Sequence, residues 1–158
     1  QAAADLVRRH ASALARFLSG AGAGPGEVED LAQEAFFKAF RALDSWRKES
    51  SFRSWLFSIA SNLRKDSYRR GRGRVVLSIE DHDLPDGRDP ASELVADETA
   101  GRIQAGLAKL PRLQREVFLL RVQQGLDYGE IAAALGTTAG SARVHYHHAI
   151  RKLKELVP

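Results

Sequence analysis

Ala142, Tyr146, Ala149, Leu153 and Leu156 step by four, three, four and three residues. That spacing is the buried face of an α-helix. Just upstream, Asp127-Tyr128-Gly129-Glu130 sets an N-cap carboxylate three residues before a glutamate, the capping box that opens a separate helix. Ile131, Ala132 and Leu135 give this shorter helix its core spacing, Gly136 stops it, and Thr137 or Thr138 caps the next one. A short helix, a glycine turn and a longer helix make a helix-turn-helix. Opposite the buried face lie Gly140, Arg143, Val144, His147, His148 and Arg151. The N-terminal part of a recognition helix sits deepest in the major groove, which makes Arg143, Val144 and His147 the candidate base-edge contacts. Arg143 suits bidentate reading of guanine and Val144 a thymine methyl. Arg151, with Lys152 and Lys154, suits phosphates that position the helix. Taken alone, the pattern also fits an ordinary solvated basic helix.

Other classes are excluded by composition. The 158 residues include no cysteine, so neither disulfides nor thiolate metal sites form, and a reducing cytoplasm is expected. His145, His147 and His148 stand two and three residues apart within one helix, which does not set three ligands around one ion; no metal is expected. His145 is instead expected at the flank or against a phosphate. No apolar run reaches the roughly 20 residues of a membrane span. The chain opens on Gln1 without any Met, and a trimmed start is expected. No phosphate cradle, metal set or paired nucleophile and base is present, so the chain is not expected to be an enzyme or to need a cofactor.

Charge divides the chain. Arg64, Lys65, Arg69, Arg70, Arg72 and Arg74 face only Asp66, whereas Glu80, Asp81, Asp83, Asp86, Asp89, Glu93, Asp97 and Glu98 face only Arg88. Pro85, Gly87 and Pro90 interrupt helix and strand alike within the acidic part. The expected organisation is all-α: two small helical domains, 1–70 and 98–158, joined by a flexible acidic linker, 71–97. In the first domain, helices are expected over about Ala2–Ser19, Glu27–Leu43 and Ser51–Tyr68, from apolar residues at helical spacing. Gly20 to Gly26 must be a loop. In the second domain, Ile103, Leu107 and Leu110 give a helix ended by Pro111, followed by one over Arg112–Gln124 that Gly125 caps.

Two features of the first domain carry functional weight. Phe37 stands off the buried stripe of its helix, beside an acidic-to-polar face. The third helix sets Phe52, Trp55, Phe57 and Tyr68 beside Arg53, Ser58, Ser61, Asn62 and Lys65, before the arginine run. Basic and polar residues next to stacking groups suit single-stranded bases, and Asn62 offers both donor and acceptor to an extruded base. Phe52 and Trp55 share the core stripe and are read as packing residues; Asn62, Lys65, Arg69 and Arg70 remain the candidates.

Asp30-Leu31-Ala32-Gln33-Glu34-Ala35-Phe36 and Ser51 through Asn62 resemble region two of bacterial sigma factors. Leu110-Pro111, Arg115 through Arg121 and Gly125 through Ala132 resemble region four. With no third region between them, the chain resembles the extracytoplasmic-function (ECF) class of the sigma-seventy family. The resemblance implies a specificity subunit that docks on core RNA polymerase, contacting its β′ coiled coil and β flap, and starts transcription at chosen promoters. Asp30, Gln33, Glu34, Phe37 and Arg41 then meet the β′ coiled coil. Asn62, Lys65, Arg69 and Arg70 take the −10 element; Arg143, Val144, His147 and Arg151 take the −35 element. An anti-sigma factor is an implied further partner. Gly140 to His145 depart from the usual recognition-helix sequence, and the glycine-rich loop before the second helix has no counterpart in this scheme. A stand-alone helix-turn-helix regulator is the alternative; it needs dimerisation and leaves the Phe37 face unexplained.

Overall fold

The computed structural model describes residues 2–46, 51–73 and 95–156, and among these every regular element is helical. In chain order they are α1 (Ala2–Gly20), α2 (Pro25–Arg41), a 3-10 turn (Leu43–Ser45), α3 (Phe52–Gly73), α4 (Val95–Ala108), α5 (Arg112–Phe118), α6 (Tyr128–Leu135) and α7 (Ala139–Leu156). Most of the expected acidic linker, residues 74–94, lies outside the described residues.

Local signals set most boundaries. Pro25 occupies the first turn of α2, where its missing N–H costs nothing, and the Glu27 carboxylate accepts from the Gly24 N–H at 3.4 Å. Lys38 and Arg41 close the same helix, complementing its dipole. Asp127 caps α6 as expected: its carboxylate accepts from the Glu130 N–H at 2.8 Å, and Glu130 accepts from the Asp127 N–H at 3.2 Å. Gly136 ends α6 at φ 67°, and Thr138 caps α7 by accepting from the Ser141 N–H.

One expected helix differs. α5 does not run evenly to Gln124 but widens into a π-helical turn over Leu119–Gln123, with the Gln124 N–H donating to the Leu119 carbonyl at 3.1 Å. The wider turn lets Leu119 meet α1 while Val117 and Leu120 stay in the core. One apolar position also differs: Leu156, expected on the buried face, is 39% exposed because it lies at the end of its helix.

The two helical units pack directly on each other. α1, α2 and α3 form the first, with Phe17 edge-on to Phe57 at 5.2 Å in its centre. Phe57 is thus a core residue rather than part of a stacking surface. α3 then lies along α6, and α1 against the π-helical turn. The Ser54 hydroxyl donates to the Glu130 carbonyl at 2.6 Å, and Arg53 stands 3.6 Å from the Glu130 carboxylate. The Gln124 amide donates to the Ala13 carbonyl at 3.1 Å. Arg115 donates to the carbonyls of Leu107, Leu110 and Ala21, so one guanidinium ties the α4–α5 corner to the loop after α1. Gly22 turns that loop at φ 99°, which gives the glycine-rich segment a structural role.

Candidate nucleic-acid interface

α7 divides as its spacing predicts. Ala142, Ala149 and Leu153 are buried against α5 and α6, and Tyr146 is half-buried, its ring 6.2 Å from that of Tyr128. Arg143, Val144, His147, His148 and Arg151 are exposed along the opposite side. Val144 is 51% exposed, which leaves its methyls free to meet a thymine methyl. His145 instead turns inward: it is half-buried and its Nδ1 is sealed from solvent. The Arg143 guanidinium lies over the Tyr128 ring, 4.8 Å from its centre.

On α3, Asn62, Arg69 and Arg70 are exposed and Lys65 is half-exposed. Ser61 departs from the polar face expected for it. It is 2% exposed, and its hydroxyl donates to the Glu116 carboxylate at 2.5 Å while accepting from Arg112 at 2.8 Å. A small hydroxyl next to a candidate DNA-binding asparagine does not reveal from sequence that another helix covers it. Phe52 and Trp55 pack with Trp46, the two indoles stacked at 6.0 Å, consistent with their reading as packing residues.

Asp30, Gln33, Glu34, Phe37 and Arg41 form one solvent-facing stripe on α2, opposite the buried Leu31, Ala35, Phe36 and Ala39. Phe37 is 60% exposed, the largest exposure of any large apolar residue described, with the Arg41 guanidinium 5.4 Å from its ring centre. Glu34 pairs with Lys38 at 3.9 Å, an exposed contact of little energetic weight. An exposed phenylalanine ringed by charge is the anatomy of an interface centre.

Residues 6–74 match the model for Sigma-70 region 2, and residues 100–153 match that for Sigma-70, region 4. The RNA polymerase sigma factor NccH of Alcaligenes xylosoxydans xylosoxydans is 34% identical over 158 residues, spanning 97% of this chain and 85% of NccH. The chain belongs to the sigma-70 family. Its ECF character follows from the ECF RNA polymerase sigma-E factor of Escherichia coli (strain K12), 35% identical over 128 residues, spanning 75% of this chain and 67% of that factor. The ECF sigma factor SigE of Mycolicibacterium smegmatis is 33% identical over 96% of this chain, which spans 60% of SigE's length. Among solved structures, the sigma factor RpoE from Bartonella quintana, in complex with the anti-sigma factor NepR, is similar at a TM-score of 0.73 and 26% identity. That likeness covers 96% of this sigma factor and 94% of RpoE, so it includes both helical units and their mutual packing. Family membership makes this sigma factor part of a class of transcription specificity factors.

Two arrangements around these residues are not legible in the sequence. Tyr128 was legible only as the residue after a cap; its role under Arg143 depends on α7 folding back over α6, which no local pattern encodes. Glu130 forms half of a capping box, yet its carbonyl and carboxylate also receive Ser54 and Arg53 from α3.

Proposed function

We propose that the chain is the promoter-specificity subunit of RNA polymerase, docking through the Phe37 face of α2 and holding DNA with α3 and α7. Asp30, Gln33, Glu34, Phe37 and Arg41 meet the β′ coiled coil of the core enzyme, and the second unit meets the β flap. Asn62 captures an extruded base of the −10 element, with Lys65, Arg69 and Arg70 on the adjoining backbone. Arg143, Val144 and His147 read the −35 element in the major groove, and Arg151 holds a phosphate. The chain supplies no catalytic group; the chemistry belongs to the polymerase, in the cytoplasm.

The observation that carries this reading is that all three faces stay solvent-exposed while the two units are packed together. The packing consumes Ser54, Ser61, Glu116 and Glu130 instead. It also sets a distance problem. Promoter elements about 25 base pairs apart are separated by about 85 Å at 3.4 Å per pair. A compact chain of this length has a radius of gyration of about 15 Å and cannot reach both. The packed arrangement is therefore a resting form, and the units separate when polymerase engages them. Residues 74–94 span up to about 70 Å when fully extended, enough to permit this. The arrangement shared with anti-sigma-bound RpoE supports an anti-sigma factor as the partner that holds the resting form.

Reconstituted transcription tests the proposal. The chain with core polymerase is expected to start RNA at a cognate promoter, whereas neither does so alone. Tight operator binding by a dimer, with no affinity for core polymerase, overturns it in favour of a stand-alone regulator.

A further inference from the structure

We propose that Tyr128 is a positioning residue for −35 recognition: its ring is the platform that aims Arg143 at the base edge. The inference rests on the reading of Arg143 as a base contact.

The Tyr128 ring sits at the junction of α5, α6 and α7. The guanidinium carbons of Arg121 and Arg143 lie 4.6 and 4.8 Å from its centre, both within cation–π range. The ring itself is held on two sides. Arg121 donates to the Leu126 carbonyl at 3.1 Å, which fixes its guanidinium, and the Tyr146 ring meets Tyr128 edge-on at 67°. Tyr146 belongs to the buried side of α7, so the platform is built into the core of the helix-turn-helix.

Arg143 is exposed, and among the described residues its guanidinium makes no hydrogen bond or ion pair. Stacking is the one restraint that leaves an arginine's recognition capacity intact. A carboxylate partner occupies N–H donors and competes with the base, whereas the π-face holds the guanidinium and leaves all five N–H groups free at its edge. Bidentate reading of guanine needs two of those donors in a fixed plane. A stacked arginine has already lost much of the side-chain freedom that binding costs, which raises affinity for the correct base more than for a wrong one.

The test compares Tyr128→Phe, which keeps the ring, with Tyr128→Leu, which removes it, in transcription with core polymerase on promoters varied at each −35 position. Tyr128→Leu is expected to lower use of the preferred −35 base by about two- to fivefold, the equivalent of an exposed cation–π contact. It is expected to have no further effect on that preference in an Arg143→Ala background. Tyr128→Phe retains the preference. In the unaltered free chain, NMR is expected to show the Arg143 side-chain protons shifted upfield by the ring current, a readout independent of how any variant folds.

If Arg143→Ala alters one base preference but Tyr128→Leu does not, the positioning role is wrong and the base contact stands. If Arg143→Ala weakens all −35 sequences alike, the base contact is wrong and the inference falls with it. Equal losses in Tyr128→Phe and Tyr128→Leu indicate a hydroxyl contact and overturn the platform, as does an unshifted Arg143 in the free chain.

Discussion

Gly20 and Leu119 meet so closely that a Cβ on Gly20 would stand 2.7 Å from Leu119 Cδ2 and 3.1 Å from Cδ1. Gly20 ends α1, and Leu119 begins the π-helical turn of the second unit, so this contact measures how tightly the two units are docked. A single methyl displaces only the far end of a leucine, but a branched side chain does not fit. Gly20→Val is therefore expected to loosen the docking without unfolding either unit. Small-angle scattering should show a larger radius of gyration, and affinity for core polymerase should rise if docking competes with it. An unchanged radius and unchanged affinity would sink the idea that the packed form is a resting state.

The deepest polar contact between the units has its own pH signature. Burial pushes the Glu116 carboxyl above its ordinary range, while the Ser61 hydroxyl, Arg112, Arg115 and Arg64 pull it back down. Because the shift is net upward, the unfolded chain releases this proton first, and stability falls as pH rises from the ordinary carboxyl range through the raised value. Below that range the penalty is absent. Glu116→Gln keeps an acceptor for Ser61 and gives up only an ion pair whose Arg112 partner is 39% exposed and therefore screened. The variant should be more stable than the parent at neutral pH, and the two should converge as pH falls to about 4. His10 works in the opposite sense. Burial, then Arg53 and Arg9, lower its pKa, so stability is lost as pH falls below its ordinary range. Pairwise urea midpoints at each pH cancel that term. A variant less stable than the parent at neutral pH would show that the ion pair outweighs burial.

Much of this was legible in the sequence, and the division has a physical basis. The apolar stripe of α7, the Asp127 cap, the Gly136 stop and the exposure of Phe37 all follow from local spacing, because each depends on one helix and its immediate flanks. The docking of the two units does not. Ser54 and Ser61 look like solvated polar positions until α6 and α5 cover them, and Glu116 sits within a motif of otherwise ordinary helical pattern. The π-helical turn was equally hidden. It places Leu119 against Gly20, a partner far away in sequence that no local pattern announces.

The Phe37 face should respond to mutation without a cost in stability. Phe37 is 60% exposed and contributes little to the core, so Phe37→Ala is expected to leave the thermal midpoint within about 2 °C, since surface changes are usually within about 0.5 kcal/mol. Affinity for core polymerase should fall by about 2 kcal/mol or more if the ring is an interface hot spot. Glu34→Lys should weaken binding in the same direction, by charge reversal beside the same contact. Titration of labelled protein with core enzyme checks both. Full affinity in both variants would remove this face from the polymerase contact.

Arg151 offers a contrast with the base-reading end of α7. It lies two helical turns beyond Arg143 on the same exposed side; in the proposed docking the helix rises out of the groove there, and phosphates rather than base edges come within reach. A phosphate contact neutralises one backbone charge and releases counterion whatever the sequence. Arg151→Ala should therefore weaken −35 DNA binding by a similar factor for every base substitution tested. It should also reduce the slope of log affinity against log salt by about 0.9. Arg143→Ala is expected to behave differently, costing about 1–3 kcal/mol at one base pair and little elsewhere. The two variants, titrated over salt on a panel of −35 duplexes, separate reading from holding. If Arg151→Ala changed the preferred base while the salt slope stayed fixed, the recognition helix would lie deeper along its C-terminal half than its cap and buried face imply.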